Sequence, residues 1–109
     1  MWFIFPQIAG LGYSETSIYY AIKNAEEARA YLGHPVLGPR LTECAKAVLA
    51  VKGRNASDVF GYPDDLKLRS SMTLFAHVAE SGSVFARVLD RFFDGERDER
   101  TLELLGVGR

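Results

Sequence analysis

The sequence is poor in cysteine and histidine and has no charge excess, and each shortage excludes a class of function. Its one cysteine, Cys44, cannot form an internal disulfide. With His34 and His77 as the only histidines, the chain lacks the ligands of a structural zinc site. Thirteen Lys and Arg against fourteen Asp and Glu give a formal net charge of -1, which offers nucleic acid no long-range attraction. We therefore predict no metal, no cofactor and no nucleic-acid partner.

The sequence also has little that resembles a targeting or membrane segment. The apolar start, residues 1–5, has no basic region before it and is interrupted by Pro6, far short of a signal-peptide core. No other apolar run is long enough to span a bilayer. We therefore expect no membrane association and, by default, a cytoplasmic location.

What is present is the composition of an ordinary globular protein. The chain has 109 residues, of which 48% are hydrophobic, 12% aromatic and 25% charged. A chain of this length can just close one hydrophobic core, and it is too apolar to remain disordered. We expect one domain over residues 1–109.

Helical signals dominate the rest of the chain. Asn24 and Glu27 have the spacing of a capping box, and Gly33 is a typical helix stop. Further helix or turn starts are predicted at Ser14, Pro39, Asn55 or Ser57, Asp64, and Ser83. The prediction is an all-α fold of five to six short helices in one compact domain, with an extended aromatic segment at the N-terminus.

Apolar spacing predicts which helix faces are buried. The helix that starts near Pro39 should run to about Lys52, and the next should run from Asp64 to about Ala79. Their predicted core positions are Leu41, Ala45, Val48 and Leu49 in the first, and Leu68, Met72, Phe75, Ala76 and Ala79 in the second. The charged residues 95–100 are predicted to form a solvated turn.

The aromatic segment is the first candidate ligand site. Trp2 could stack on a ligand base and Gln7 could bind a polar edge, with Tyr20 at the rim of the pocket. Plain core packing of the aromatic residues is the favoured alternative. Gln7 could equally bind backbone in a turn.

The second candidate lies in the helix that begins at Asp64. Lys67 and Ser71 share a helix face at i, i+4, with Ser70 beside them, and such a cluster could hold a phosphate or ribose. The favoured alternative is that the hydroxyls donate to carbonyls one turn earlier. Together with the aromatic segment, the candidate ligand-binding residues are Trp2, Gln7, Tyr20, Lys67 and Ser71.

No catalytic pair is evident in the sequence. Ser71 and His77 are six residues apart and therefore lie on different sides of one helix, which excludes a nucleophile and base pair. His34 precedes a proline and is predicted to pack or cap in a loop. Asp64 and Asp65 suit a helix start better than general acid and base chemistry. Whether the protein is an enzyme is left open.

Three motifs carry a family resemblance. The segments MWFIFPQ, YLGHPVLGPRLTEC and FGYPDDLKLRSSMTLF resemble the bacterial domain-of-unknown-function family 1810, some members of which are named calpastatin. The resemblance covers nearly the whole chain and implies a compact, mostly helical domain without an established activity. Members usually carry a further helical segment before the MWFIFPQ motif, so we expect this form to lack it.

A more distant likeness is to the family that acts on NAD-derived and ADP-ribose N-glycosides, and no catalytic residue can be matched to it. Two hypotheses follow. The first is a small ligand-binding or interaction module without catalysis. The second is an N-glycoside hydrolase or binder of an ADP-ribose or NAD-type nucleotide. Both allow a nucleotide or sugar-phosphate ligand, and the oligomeric state is left open.

Overall fold

The computed structural model describes residues 5–7, 21–51, 61 and 64–106. Within these ranges there are five helices and no strand: α1 (Ala25–Gly33), α2 (Leu37–Leu49), α3 (Asp64–Val78), α4 (Val84–Phe93) and α5 (Glu99–Leu104). The predicted all-α class is confirmed. The features predicted at Ser14 and at Asn55 or Ser57 lie outside these ranges. None of the five helices is long and apolar enough to cross a membrane.

Two predicted helix starts are confirmed by their capping bonds. The Asn24 side-chain oxygen accepts the Glu27 N–H at 2.9 Å, and α1 ends at Gly33 as expected. The Glu27 carboxylate accepts the backbone N–H of Lys23 at 3.2 Å, one residue before its usual capping-box partner. At the start of α4, the Ser83 hydroxyl accepts the Ala86 N–H at 3.3 Å.

The start of α2 differs from the prediction because a histidine caps it. The His34 Nδ1 atom accepts the N–H groups of Val36 and Leu37, each at 3.1 Å. The helix therefore begins at Leu37, and Pro39 lies within its first turn instead of opening it. The helix ends at Leu49, about a turn before the predicted end.

The central element is α3, which packs against α1, α4 and α5, while α2 packs against α1 and α4. The predicted positions Leu68, Met72 and Phe75 are fully buried, and so are Ser71 and Thr73. Because neighbouring helices cover α3 from several sides, the prediction of a single core-facing stripe was too narrow. The wider core contains Phe5, Ile22, Ala28, Leu41, Ala45, Val48, Leu74, Val84, Phe85, Val88 and Leu89.

The charged segment 95–100 is not a simple solvated turn, because Asp98 ties it to α3. The Thr73 hydroxyl accepts the Asp98 N–H at 2.9 Å, and the Arg69 guanidinium lies 3.9 Å from the Asp98 carboxylate. The same carboxylate caps α5 by accepting the N–H and hydroxyl of Thr101, at 2.9 and 2.6 Å. The prediction was therefore wrong for Asp98, although residues 95–97 are exposed.

Candidate functional site

An open groove of about 780 Å³ lies between α2 and the turn that joins α3 to α4. The α2 wall presents Pro39, Thr42, Glu43 and Lys46, which recur at i, i+3, i+4 and i+7 and so lie on one side of the helix. The other wall is formed by the turn residues 80–83, Val84 and Arg87. Leu32, Gly38, Val78, Ala79 and Phe85 complete the lining.

The two long walls are linked near their C-terminal ends. Near their C-terminal ends, the Arg91 guanidinium donates to the Val51 carbonyl at 2.7 Å, while their N-terminal residues line the groove together. Lys46 lies a little over one turn before Val51, and Arg87 lies one turn before Arg91. Lys46 and Arg87 therefore line the groove from opposite walls, each within about one and a half turns of this bond.

The groove carries charges of both signs. Lys46 and Arg87 are exposed, and so are the carboxylates Glu43 and Glu80. None of the four takes part in a salt bridge within the described ranges. Glu80 belongs to the turn before α4, so it lies away from the end that holds the two cations. The groove therefore has a cationic end, a mixed remainder and no net charge.

The residues predicted from the sequence to bind a ligand do not line this groove. Trp2 and Tyr20 lie outside the described ranges. Gln7 is half-buried, and its backbone carbonyl accepts the Ile22 N–H at 2.7 Å. Lys67 and Ser71 lie on one side of α3 as predicted, and the Lys67 ammonium is 3.8 Å from the Asp64 carboxylate. The structure thus places Lys67 and Ser71 one turn apart on the same helix and neither of them in the groove.

Two of the three hydroxyls in α3 donate to a backbone carbonyl one turn earlier, which was the alternative favoured from the sequence. Ser70 donates to the Leu66 carbonyl at 3.1 Å, and Thr73 donates to the Arg69 carbonyl at 2.8 Å. The Ser71 hydroxyl is fully buried and makes no hydrogen bond with the part of the chain that the structure describes. A phosphate or ribose could reach it only after the residues that cover it move.

Two of the titratable residues considered in the sequence, His34 and Asp65, make structural contacts. His34 caps α2, and His77 is half-buried in the last turn of α3. The Asp65 carboxylate accepts the Leu66 N–H at 2.9 Å, which fits the predicted role at a helix start. No group of three or more His, Cys, Asp or Glu side chains in these ranges could hold a metal ion.

Among the residues that the structure describes, Tyr31 has a shifted pKa, and it lies outside the groove. Burial raises the pKa of Tyr31 above its ordinary value, an effect opposed by the nearby Arg40 guanidinium and increased by Cys44. The Tyr31 ring packs against Phe75, with 5.6 Å between ring centroids. This shift therefore reflects core packing and indicates no acid or base in the groove.

The sequence reasoning did not identify the groove residues. The polar spacing of Thr42, Glu43 and Lys46 is visible in the sequence, but exposed polar faces are typical of most surface helices. Only the packing of α2 beside α4 turns that face into one wall of a groove and brings Arg87 opposite it.

Comparison with known proteins places the chain in a family without assigning an activity. No curated protein matches it significantly. Among solved structures, it is similar to the conserved hypothetical protein Rv1873 of Mycobacterium tuberculosis, with 50% identity and a TM-score of 0.94. That match covers 98% of this chain and 76% of the other. The likeness to the N-glycosidase family stays a prediction. The family model for the proteins of unknown function DUF1810 matches residues 1–105, and the chain therefore belongs to this family.

Proposed function

We propose that the protein is a small-molecule-binding domain and that the groove between α2 and the α3–α4 turn is its site. The observation that carries this proposal is the size and lining of the groove. Ligand sites commonly enclose roughly 300 to 1,000 Å³ and combine an apolar lining with a few polar groups. The groove, at about 780 Å³, has that size and that mixture of residues.

The groove is built on rigid parts of the fold. Phe85 and Val84 line it and are only 3% and 7% exposed, because they also belong to the core. Gly38, at the start of the α2 wall, is buried against the backbone of Leu32. A site made from packed helices requires little ordering when a ligand binds, which favours binding by a small molecule.

Binding without turnover fits the groove better than catalysis. Thr42, Ser81 and Ser83 supply hydroxyls, but a nucleophilic hydroxyl needs a neighbouring base. Neither histidine lines the groove, and within the described ranges none of these hydroxyls is hydrogen-bonded to the Glu43 or Glu80 carboxylate. The alternative of an N-glycoside hydrolase or ADP-ribose binder rests on a different set of residues, including Lys67 and Ser71. That alternative stays a hypothesis about a second region of the molecule.

The test is a ligand screen by thermal shift with a variant that fills the groove. Nucleotides, NAD, ADP-ribose and sugar phosphates form the panel, since a ligand at a hundredfold its dissociation constant adds about 2.7 kcal/mol of stability. Thr42→Trp should abolish any shift, whereas Ala30→Trp, on an exposed position of α1 outside the groove, should preserve it. If Thr42→Trp loses its cooperative melt, Glu43→Trp on the same wall replaces it.

Two outcomes would contradict the proposal. One is a ligand that shifts the wild type and the groove-filled variant equally, because its site must then lie elsewhere. The other is a cooperative melt that no member of the panel shifts, which would leave an interaction domain as the better hypothesis.

A further inference from the structure

We infer that the groove takes an organic anion, whose charged group lies between Lys46 and Arg87 and whose apolar body packs along the groove. This inference rests on the proposed function and adds the chemical class of the ligand. It does not involve Lys67 or Ser71, which lie outside the groove.

The position of the two cations supports the inference. The Arg91–Val51 hydrogen bond fixes the relative positions of the α2 and α4 ends, and Lys46 and Arg87 lie about one turn before this bond. They therefore line the groove from opposite walls near this bond. An ammonium and a guanidinium placed in this way match a phosphate, sulfonate or carboxylate, which accepts several charge-assisted hydrogen bonds.

The lack of internal salt bridges at these two side chains supports the inference as well. Lys46 and Arg87 form no salt bridge within the described ranges, although Glu43 stands three residues before Lys46 on the same helix. Both cations are thus available to a ligand without the loss of an internal ion pair. Free cations on facing walls favour an anionic ligand over a neutral one.

The carboxylates limit how much negative charge the ligand carries. Glu43 and Glu80 also line the groove, and their two negative charges offset the positive charges of Lys46 and Arg87. A polyanion that ran along the groove would meet these carboxylates and be repelled. A ligand with one anionic group at the cationic end avoids this repulsion.

The apolar lining defines the rest of the ligand. Leu32, Pro39, Val78 and Ala79 line the groove and keep part of their side chains exposed, so they provide hydrophobic surface for an aromatic or aliphatic body. Removing such a body from water supplies affinity that is independent of salt, while the anionic group supplies affinity that falls with salt. The two contributions can therefore be measured separately.

The test uses two probes with the same aromatic body. 8-Anilinonaphthalene-1-sulfonate carries one sulfonate, and N-phenyl-1-naphthylamine lacks it; both become fluorescent in apolar sites. The double variant Lys46→Met and Arg87→Met should raise the dissociation constant of the sulfonate probe about tenfold, equivalent to about 1.4 kcal/mol. The neutral probe should change by less than about twofold, because methionine retains the apolar surface.

A matched control removes the same charge elsewhere. Arg29→Met combined with Arg97→Met replaces two exposed cations outside the groove and should leave the binding of both probes unchanged. Equal weakening of the sulfonate probe by the two double variants would overturn the inference, because net charge alone would then explain the effect. Equal changes for both probes in the Lys46 and Arg87 variant would overturn it as well.

The groove-filling variant Thr42→Trp separates the inference from the proposed function. If it abolishes the binding of both probes while the loss of Lys46 and Arg87 has no selective effect, the inference fails and the proposed function stands. If it leaves binding unchanged, or if neither probe binds the wild type, the proposed function fails and the inference fails with it.

Discussion

Gly38 lies so close to Leu32 that a Cβ atom at residue 38 would overlap the Leu32 carbonyl oxygen. The contact joins the end of α1 to the first turn of α2, where the Gly38 N–H donates to the His34 carbonyl at 3.0 Å. Space, and not an unusual backbone angle, requires glycine at this position. Because Leu32 and Gly38 both line the groove, this contact also sets the distance between α1 and α2 where they border it.

Gly38→Ala should therefore destabilise the protein. The added methyl group meets backbone, which cannot rotate away as a side chain can, so α1 and α2 must move apart. Overpacking of this kind costs about 1 to 3 kcal/mol. Equilibrium urea unfolding measures the loss directly.

Gly33→Ala is the matched control for this prediction. A Cβ atom at Gly33 would have no neighbouring atom within 4 Å, and Gly33 is the last residue of α1. Alanine is favoured over glycine in helices by roughly 0.5 to 1 kcal/mol, so this variant should be unchanged or slightly more stable. Equal losses in the two variants would show that the Leu32 contact is not the cause.

Much of the fold could be predicted from short-range patterns. Asn24 and Ser83 cap the helices that they were predicted to cap, because capping depends on residues only three positions apart. His34 was predicted to pack or cap in a loop, and it does cap α2. Because histidine is not among the usual capping residues, the start of the helix could not be placed from it. The burial of residues 70–75 on every side of α3 was hidden by Ser71 and Thr73, which would normally indicate an exposed face.

The groove could not be predicted because no local pattern encodes it. Thr42 and Lys46 come from α2, whereas Arg87 comes from α4, about forty residues later. Their proximity depends on which helices pack together and in which direction. That Lys67 and Ser71 share one helix face could be predicted from the sequence, because the geometry of a single helix determines it.

Thr73→Val should destabilise the protein by removing a buried hydrogen-bonding group without changing its size much. The hydroxyl accepts the Asp98 N–H and donates to the Arg69 carbonyl, so valine leaves the Asp98 N–H without its partner. A half-buried donor without a partner costs about 1 to 3 kcal/mol. Urea unfolding should show this loss, and hydrogen exchange at Asp98 should become faster.

Ser70→Ala provides the comparison, because the Ser70 hydroxyl donates only to the Leu66 carbonyl one turn earlier. That carbonyl is part of a helix, so the substitution should cost less than about 1 kcal/mol. A loss as large as that of Thr73→Val would mean that the link between α3 and Asp98 contributes little to stability.

Ser71→Ala should leave stability unchanged or increase it by about 1 kcal/mol. The hydroxyl is fully buried and makes no hydrogen bond within the described ranges, so alanine removes a desolvated polar group. Thermal and urea unfolding test this directly. A clear loss of stability would show that the hydroxyl has a partner after all.

The same variant separates the two candidate sites. If a ligand binds in the groove, Ser71→Ala should leave its affinity unchanged, because Ser71 does not line the groove. A selective loss of nucleotide or sugar-phosphate binding would instead favour the sequence-based hypothesis that Lys67 and Ser71 hold a phosphate or ribose.

Tyr31→Phe should reduce the loss of stability at alkaline pH. Burial favours the neutral phenol and raises its pKa above the ordinary value near 10, so the folded state resists ionisation more than the unfolded state does. This contribution is fully present below about pH 10 and is lost as the pH rises through the raised pKa of the folded state. Urea unfolding from about pH 8 to about pH 11 should give a steeper decline for the wild type than for the variant.

Arg40 and Cys44 also affect the Tyr31 pKa, so the comparison needs a control for these neighbours. The Arg40 guanidinium lowers the Tyr31 pKa and so offsets part of the effect of burial, whereas Cys44 raises it. Comparing Tyr31→Phe with its parent in a Cys44→Ala background removes the contribution of the thiol to the Tyr31 pKa, so the remaining difference in slope reports the burial of Tyr31 and the effect of Arg40. Parallel stability curves in that background would show that the ring packs against Phe75 without any penalty for ionisation, and that the phenol reaches solvent.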